Sequence, residues 1–551
     1  MASKKHARVL WISTSMAAAF GGWSSQARAL DLLGVQPAAL DQPQINAIVY
    51  QGNASTPLIG QTEDPLGGLL GGDTVSFFNV QAYLDTGASS ILISTPTAQA
   101  LGLQGLTFNG SPVIYSDVGV AGTDDFQVSQ PLRLSLANFY PRTTDLDTFL
   151  DVNSTQPDVS PYTPLPSSNN LYVEVGPYQP LVDNPGGDDI DQVINELLAE
   201  ENAVDVIGMP AIQGHVMVMD TSAVKQLGQF FDIIGGALTG QGDLGDLSDA
   251  DFNTLATAGM RTYLYTPGTP FHPLTVDTDP GIPSTQLHVK LSYASFDRFT
   301  TVTPSGQPGP TLTHNPIIGK DPVKILDGIS QPDTPGITIT RNVSDPGGSH
   351  LVSSEGNWLL DTGAAASIVS QAQAARLGIH YQAGTFGTTA PILVDENGIP
   401  LAPDDTFSLA ISGIGGTETL AGFFVDELTV PTIEGTDSGN DAYNLHFQHA
   451  PLLVGDITIK DPVTGQTLTL DGVFGMNYMV QSINFETDSE GNLLNIGTPS
   501  PSYFQYVTFD EPNGILGFSI DPESGLALPV PEPASLAMLS AGALLLLRRR
   551  R

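Results

Sequence analysis

Two Asp-Thr-Gly triplets carry the residues best suited to chemistry in this chain: Asp85-Thr86-Gly87 and Asp361-Thr362-Gly363. The first lies in "AYLDTGASSILIS" (Ala82–Ser94), the second in "WLLDTGAAASIVS" (Trp358–Ser370). A single triplet would be an ordinary turn, with Asp accepting from the backbone two residues on and Gly supplying positive φ. Two triplets, each between apolar strand-like runs, suggest a pair of carboxylates brought together. Carboxylates within about 3 Å cannot both ionise, so one pKa falls and the other rises. The ionised Asp can then take a proton from a water held between them, while the neutral Asp donates to a scissile carbonyl. Such peptide hydrolysis needs neither metal nor nucleophilic side chain. It suits a chain with no cysteine and no His-Glu-x-x-His run. The glycines would let the backbones approach closely, and Thr86 and Thr362 could bond across to the opposite turn.

Such turns need elements to hold them, and the chain has the composition to build these. It is 551 residues long and 40% hydrophobic, with 58 Gly and 42 Pro. Thr and Val recur in short runs between turn residues, which predicts a mainly β protein of two or more domains. An internal repeat organises the middle. After the first triplet come "GVAGT" (Gly119–Thr123) and "VDVIGMPAIQGHVMVMD" (Val204–Asp220). After the second come "GIGGT" (Gly413–Thr417) and "LDGVFGMNYMVQSINFETD" (Leu470–Asp488). Asp85 precedes Gly208 by 123 positions and Asp361 precedes Gly475 by 114, which predicts a duplicated lobe. The Pro- and Gly-rich run Thr266–Ser284 marks the expected boundary, with Thr285–Phe296 as the first strand of the second lobe. Thr303–Pro316 also has the composition of a linker.

Other segments predict less. Asp188–Asn202 has helical periodicity with acids in its first turn. The acidic run Gly242–Phe252 could bind Ca²⁺, though its Asp spacing is not that of an EF-hand loop, and a solvated loop leading into a helix N-cap is the favoured reading. Gly67–Gly72 has no Lys and no following helix, so it is not a phosphate loop. The net charge is −39, and residues 30–529 alone hold 11 basic against 57 acidic residues, a net of −46. That surface repels nucleic acid and anionic lipid.

Both ends read as addresses. Lys4, Lys5 and Arg8 precede an apolar run and an Ala-Arg-Ala exit at Ala27–Ala29, the pattern of a signal peptide over residues 1–29. The final segment, 527–551, holds Pro531-Glu532-Pro533, the short apolar run Leu536–Leu547 and four Arg. It resembles the PEP-CTERM sorting signal of Gram-negative bacteria, which implies an exosortase-like partner, transient membrane anchoring and delivery to the cell surface or extracellular matrix. A plain tail anchor is the alternative, and it too places the body outside the inner membrane.

The two triplets, with "VIG" (Val206–Gly208) and "VFG" (Val473–Gly475) behind them and "FQYVTFDEPNGILGFSI" (Phe504–Ile520) near the end, resemble the bilobal aspartic peptidases of the pepsin and retropepsin superfamily. The resemblance spans roughly residues 45–525. It implies a mainly β, bilobal pepsin-like fold: two related β-barrel-like lobes over residues 30–283 and 284–526, with a cleft between them. It also implies a monomeric endopeptidase that acts on peptides or proteins without a cofactor or metal, through Asp85 and Asp361. Thr86, Gly87, Thr362 and Gly363 would support the turns. Tyr115, 30 positions after Asp85, is the candidate flap tyrosine, with an ordinary strand aromatic as the other reading. The two Gly-rich runs are similar to retropepsin flaps. Pepsins usually carry Ser or Thr after the triplet, whereas Ala88 and Ala364 stand here. Loss of that hydroxyl donor implies an optimum less acidic than a pepsin's. A peptidase-like surface or matrix protein that binds without cutting is the competing expectation.

Overall fold

The computed structural model describes residues 30–526 apart from 64–73, 120–121, 139–162, 165–170, 177–204, 239–257, 266–284, 303–307, 327, 332–333, 346–347, 385–390, 414–415, 461–466 and 488–492. Both terminal segments read as addresses in the sequence, the glycine run at 67–72, the helix expected over 188–202, the acidic run at 242–252 and the boundary run at 266–284 lie outside the described residues.

The chain is mainly β, in several sheets. In chain order, the strands that matter to the site begin with β1 (Leu30–Leu33), β2 (Gln44–Gln51), β3 (Asn79–Asp85), β4 (Ile91–Ser94), β5 (Ile114–Gly119) and β6 (Gly122–Val128). Next come β7 (Val206–Gly208), β8 (Val216–Asp220), β9 (Leu287–Val302), β10 (Pro308–Ile318), β11 (Trp358–Leu360) and β12 (Ile368–Val369). The last are β13 (Thr406–Gly413), β14 (Gly416–Val430), β15 (Leu445–Val454), β16 (Gly472–Phe474), β17 (Phe504–Asp510) and β18 (Ile515–Ile520). Two short helices follow the triplets: α1 (Thr95–Ala100) and α2 (Gln371–Arg376).

A nine-stranded sheet carries the first triplet. Its central order is β4-β7-β3-β2, with β6 and β5 at one end. Alternation in β3 sets its faces: Val80, Ala82 and Leu84 are buried, while Gln81 is exposed. A 15-stranded sheet carries the second triplet through β10-β11-β16-β12-β15-β14. All three residues of β11 are buried, as expected of a strand covered on both faces.

The two halves of the sequence exchange strands. The hairpin β17–β18 was expected near the end; β17 pairs with β8 of the first half and β18 with β9 of the second. β1 pairs in parallel with β15, placing Leu30 against Leu445, and Leu30 and Leu32 are both buried. The linker-like composition of Thr303–Pro316 proves misleading. Pro308 onward is strand β10, paired with β9 from Val302 back to Leu291. Its prolines hide a strand whose register is fixed by a partner upstream, which local composition does not report.

Candidate active site

Each triplet is placed by the same three-strand arrangement. β7 runs parallel to β3, setting Ile207 beside Leu84 and Gly208 beside Asp85, and antiparallel to β4. β16 runs parallel to β11, setting Phe474 beside Leu360, and antiparallel to β12. Met209 N donates to Ala88 O at 2.9 Å and Met476 N to Ala364 O at 2.8 Å, the same bond in both halves. The hydrophobic-hydrophobic-Gly pattern now has a physical cause. A Cβ on Gly208 would lie 2.6 Å from Ala88 O, and one on Gly475 2.8 Å from Ala364 O, so the strand passes too close behind the turn for any side chain.

The turns interlock. Thr86 Oγ1 donates to Leu360 O at 2.7 Å and accepts from Thr362 N at 3.1 Å. Thr362 Oγ1 donates to Leu84 O at 2.6 Å and accepts from Thr86 N at 3.1 Å. Both threonines are fully buried. Four reciprocal bonds join the turns across 274–278 residues, and breaking one would strand a buried partner at a cost of about 1–3 kcal/mol.

Asp85 Oδ1 accepts from Gly87 N at 2.7 Å and Ala88 N at 3.0 Å. Asp361 Oδ1 accepts from Gly363 N and Ala364 N, both at 2.9 Å. The carboxyls therefore face each other's glycine. A Cβ on Gly87 would collide with the carboxyl of Asp361, and one on Gly363 with the carboxyl of Asp85. Neither glycine is among those with positive φ, so close approach is what demands Gly here. Burial comes first in holding the Asp361 carboxyl well above the ordinary carboxylate range. The charge of Asp85 and a side-chain hydrogen bond with it add to this, against the lowering pull of the Ala364 and Gly363 N–H groups.

The likeness of the halves extends past the turns. Ser94 caps α1 by accepting from Thr97 N, and Ser370 caps α2 by accepting from Gln373 N. Leu101-Gly102 and Leu377-Gly378 end the two helices, with glycine φ of 66° and 72°. The signal in the sequence was an aligned Leu-Gly pair after each triplet, with the same spacing.

Two residues without a local signature complete the turns. Asn315, on β10 and fully buried, donates through Nδ2 to Thr86 O at 2.9 Å and Gly87 O at 2.8 Å. Gln42 donates through Nε2 to Gly363 O. Each reaches from its own half to the turn of the other.

Tyr115 lies on β5 opposite Phe126, half-buried, and packs on Val113 and Val128 with Leu106, Phe108 and Tyr172. These contacts tie its ring to the base of the β5–β6 hairpin. The runs Gly119–Thr123 and Gly413–Thr417 join β5 to β6 and β13 to β14 as hairpins, their tips outside the described residues. A separate cavity of about 540 Å³ lies in the second half, lined by Glu355, Glu427, Thr429 and Asp441 among others. It shares no residue with the turns. Among the described residues, no group of three or more His, Cys, Asp or Glu is placed to hold a metal ion.

Compared with known proteins, the chain matches no family model and no curated protein.

Proposed function

We propose that this chain is an aspartic endopeptidase with a bilobal, pepsin-like architecture, in which Asp85 and Asp361 share one proton and activate a water against a peptide bond. The observation that carries this function is the crossed contact between the turns: each carboxyl set against the opposite glycine, and each threonine bonded to the opposite strand. A merely structural turn has no use for two half-buried carboxyls facing each other, because their repulsion costs stability unless a proton is shared.

In the resting site the pair shares one proton and carries one charge, and neither residue is assigned as the permanent acid or base. The ionised aspartate takes a proton from the water as it attacks the carbonyl carbon, and the neutral one donates its proton to the carbonyl oxygen. The tetrahedral intermediate then collapses as a proton passes to the leaving amine. Because the two groups titrate as a pair, the pH–rate profile reports their macroscopic steps. Ala88 and Ala364 offer no hydroxyl at the position after each triplet, so the optimum is less acidic than a pepsin's. A profile peaking near pH 2 would refute that.

We further propose that residues 1–29 direct export and that residues 527–551 act as a sorting signal read by exosortase-like machinery. The body would then be held at the cell surface or in the extracellular matrix, where it meets peptide or protein substrates. The test of function is cleavage of a denatured protein by the purified chain across a pH series, with Asp85→Asn and Asp361→Asn as controls. Binding of the same protein without cleavage would favour a silent, peptidase-like binding protein instead.

A further inference from the structure

The strand registers make Gln42 and Asn315 counterparts. Gln44 on β2 faces Tyr83 on β3, and Ile317 on β10 faces Leu359 on β11. Tyr83 and Leu359 each stand two residues before their Asp, so Gln42 and Asn315 occupy the same place in the two halves. The neighbouring contacts agree: Ala39 N donates to Ala365 O at 2.8 Å, and Thr313 Oγ1 donates to Ser89 O at 2.8 Å. Ser89 Oγ donates to Asn315 Oδ1 at 3.0 Å, which fixes the amide with Nδ2 towards the turn.

A trans peptide points its C=O and N–H in opposite directions. The peptide whose carbonyl is Thr86 O carries Gly87 N–H at its other side, and the one whose carbonyl is Gly87 O carries Ala88 N–H. Both of those N–H groups donate to Asp85 Oδ1. Asn315 thus holds, from behind, both peptides that hold Asp85 from the front. Gln42 holds only one of the corresponding pair, the peptide whose N–H is Ala364 N, which donates to Asp361 Oδ1. A donor to the carbonyl polarises its peptide and strengthens the N–H on the far side.

We propose that Gln42 and Asn315 are positioning residues, each securing the peptides of the opposite turn that donate to its aspartate, and that the two-to-one imbalance keeps the negative charge on Asp85. The catalytic consequence rests on the peptidase function; the charge placement does not. The ionisable group facing Asp85 is Asp361. Asp41, beside Gln42, accepts from Met260 N, and His314, beside Asn315, is exposed on β10.

The test is a carboxyl-carbon NMR titration of the full chain labelled at aspartate, with Asp85→Asn and Asp361→Asn used to assign the signals. Asn315→Leu keeps the branched shape and removes the donor, and Gln42→Ala removes the other. Asn315→Leu should move the lower step of the pair to higher pH, and Gln42→Ala the upper step. If the substrate is cleaved, kcat in Asn315→Leu falls roughly tenfold with KM within about twofold, and the acid limb of kcat/KM moves the same way. Should Asn315→Leu fail to fold, the upper step in Gln42→Ala decides. Unmoved steps in the folded variants, or equal movement of both steps in each, overturn the proposal even if the chain cuts protein. Shifted steps in a chain that cuts nothing uphold the charge placement and remove the peptidase function.

Discussion

At the first turn, one buried amide grips both peptides behind Asp85; at the second, a half-buried glutamine grips one of the two behind Asp361. The helices that follow differ in the same spirit. Ser94 N donates to the carboxylate of Asp205 at 2.6 Å, whereas Ser370 N donates to the backbone carbonyl of Asp471 at 3.0 Å. The duplicated backbone is kept almost bond for bond, and the polar groups around it have diverged. Two chemically identical carboxyls gain different roles only through such differences, because symmetric surroundings would leave the shared proton no preferred side.

The largest effects should be equal in the two halves. Gly87→Ala and Gly363→Ala each drive a methyl into the opposite carboxyl, and activity should fall by about 10³ or more in both. Full activity in either variant would show that the carboxyls do not approach as described. Thr86→Val and Thr362→Val should each destabilise the fold by about 2–4 kcal/mol in denaturant unfolding, since each removes a donor and leaves buried groups on the other turn unsatisfied. Their double variant should cost less than the sum, because the two threonines share one bonding ring.

A smaller effect should separate the halves. Burial lifts Asp205 to about 6, against bonds from Ser94 and Thr97 that pull it down. Its folded pKa lies above the ordinary value of 3.8. Its contribution to stability is therefore complete below about pH 4 and is lost as pH rises through about 6. The loss is on the order of 2–3 kcal/mol. Asp205→Asn should flatten that part of the stability–pH curve, because the carboxyl that accepts from Ser94 N can then no longer titrate. Asp41, also lifted to about 6 by burial, adds a fall of the same sign. An unchanged slope in Asp205→Asn, followed by thermal unfolding from pH 4 to pH 7, would contradict the carboxylate's role. The smallest effect returns to symmetry: Ser94→Ala and Ser370→Ala each remove a helix cap, at about 1 kcal/mol apiece.

What could be read from the sequence follows from how local each signal is. The triplets, the Val206–Gly208 and Val473–Gly475 strands, the Gly-rich hairpins and the closing hairpin each occupy a few adjacent residues with a period or a turn signature. Gln42 and Asn315 carry none, since a lone carboxamide takes its meaning from a strand register and a turn more than 200 positions away. Leu30–Leu33 was likewise a short apolar run, and its place beside Leu445 depends on a partner near the other end of the chain. Thr303–Pro316 misled for the opposite reason: its prolines are a strong local signal for a linker, overridden by pairing with β9.

The central claim is that Asp85 and Asp361 form one site that cuts peptide bonds. Its most direct test is cleavage of a denatured protein by the wild-type chain, Asp85→Asn and Asp361→Asn, side by side across pH. The wild type should cut, and each variant should lose at least about 10³-fold in kcat/KM while remaining folded. Cleavage that survives in either folded variant would contradict a shared dyad.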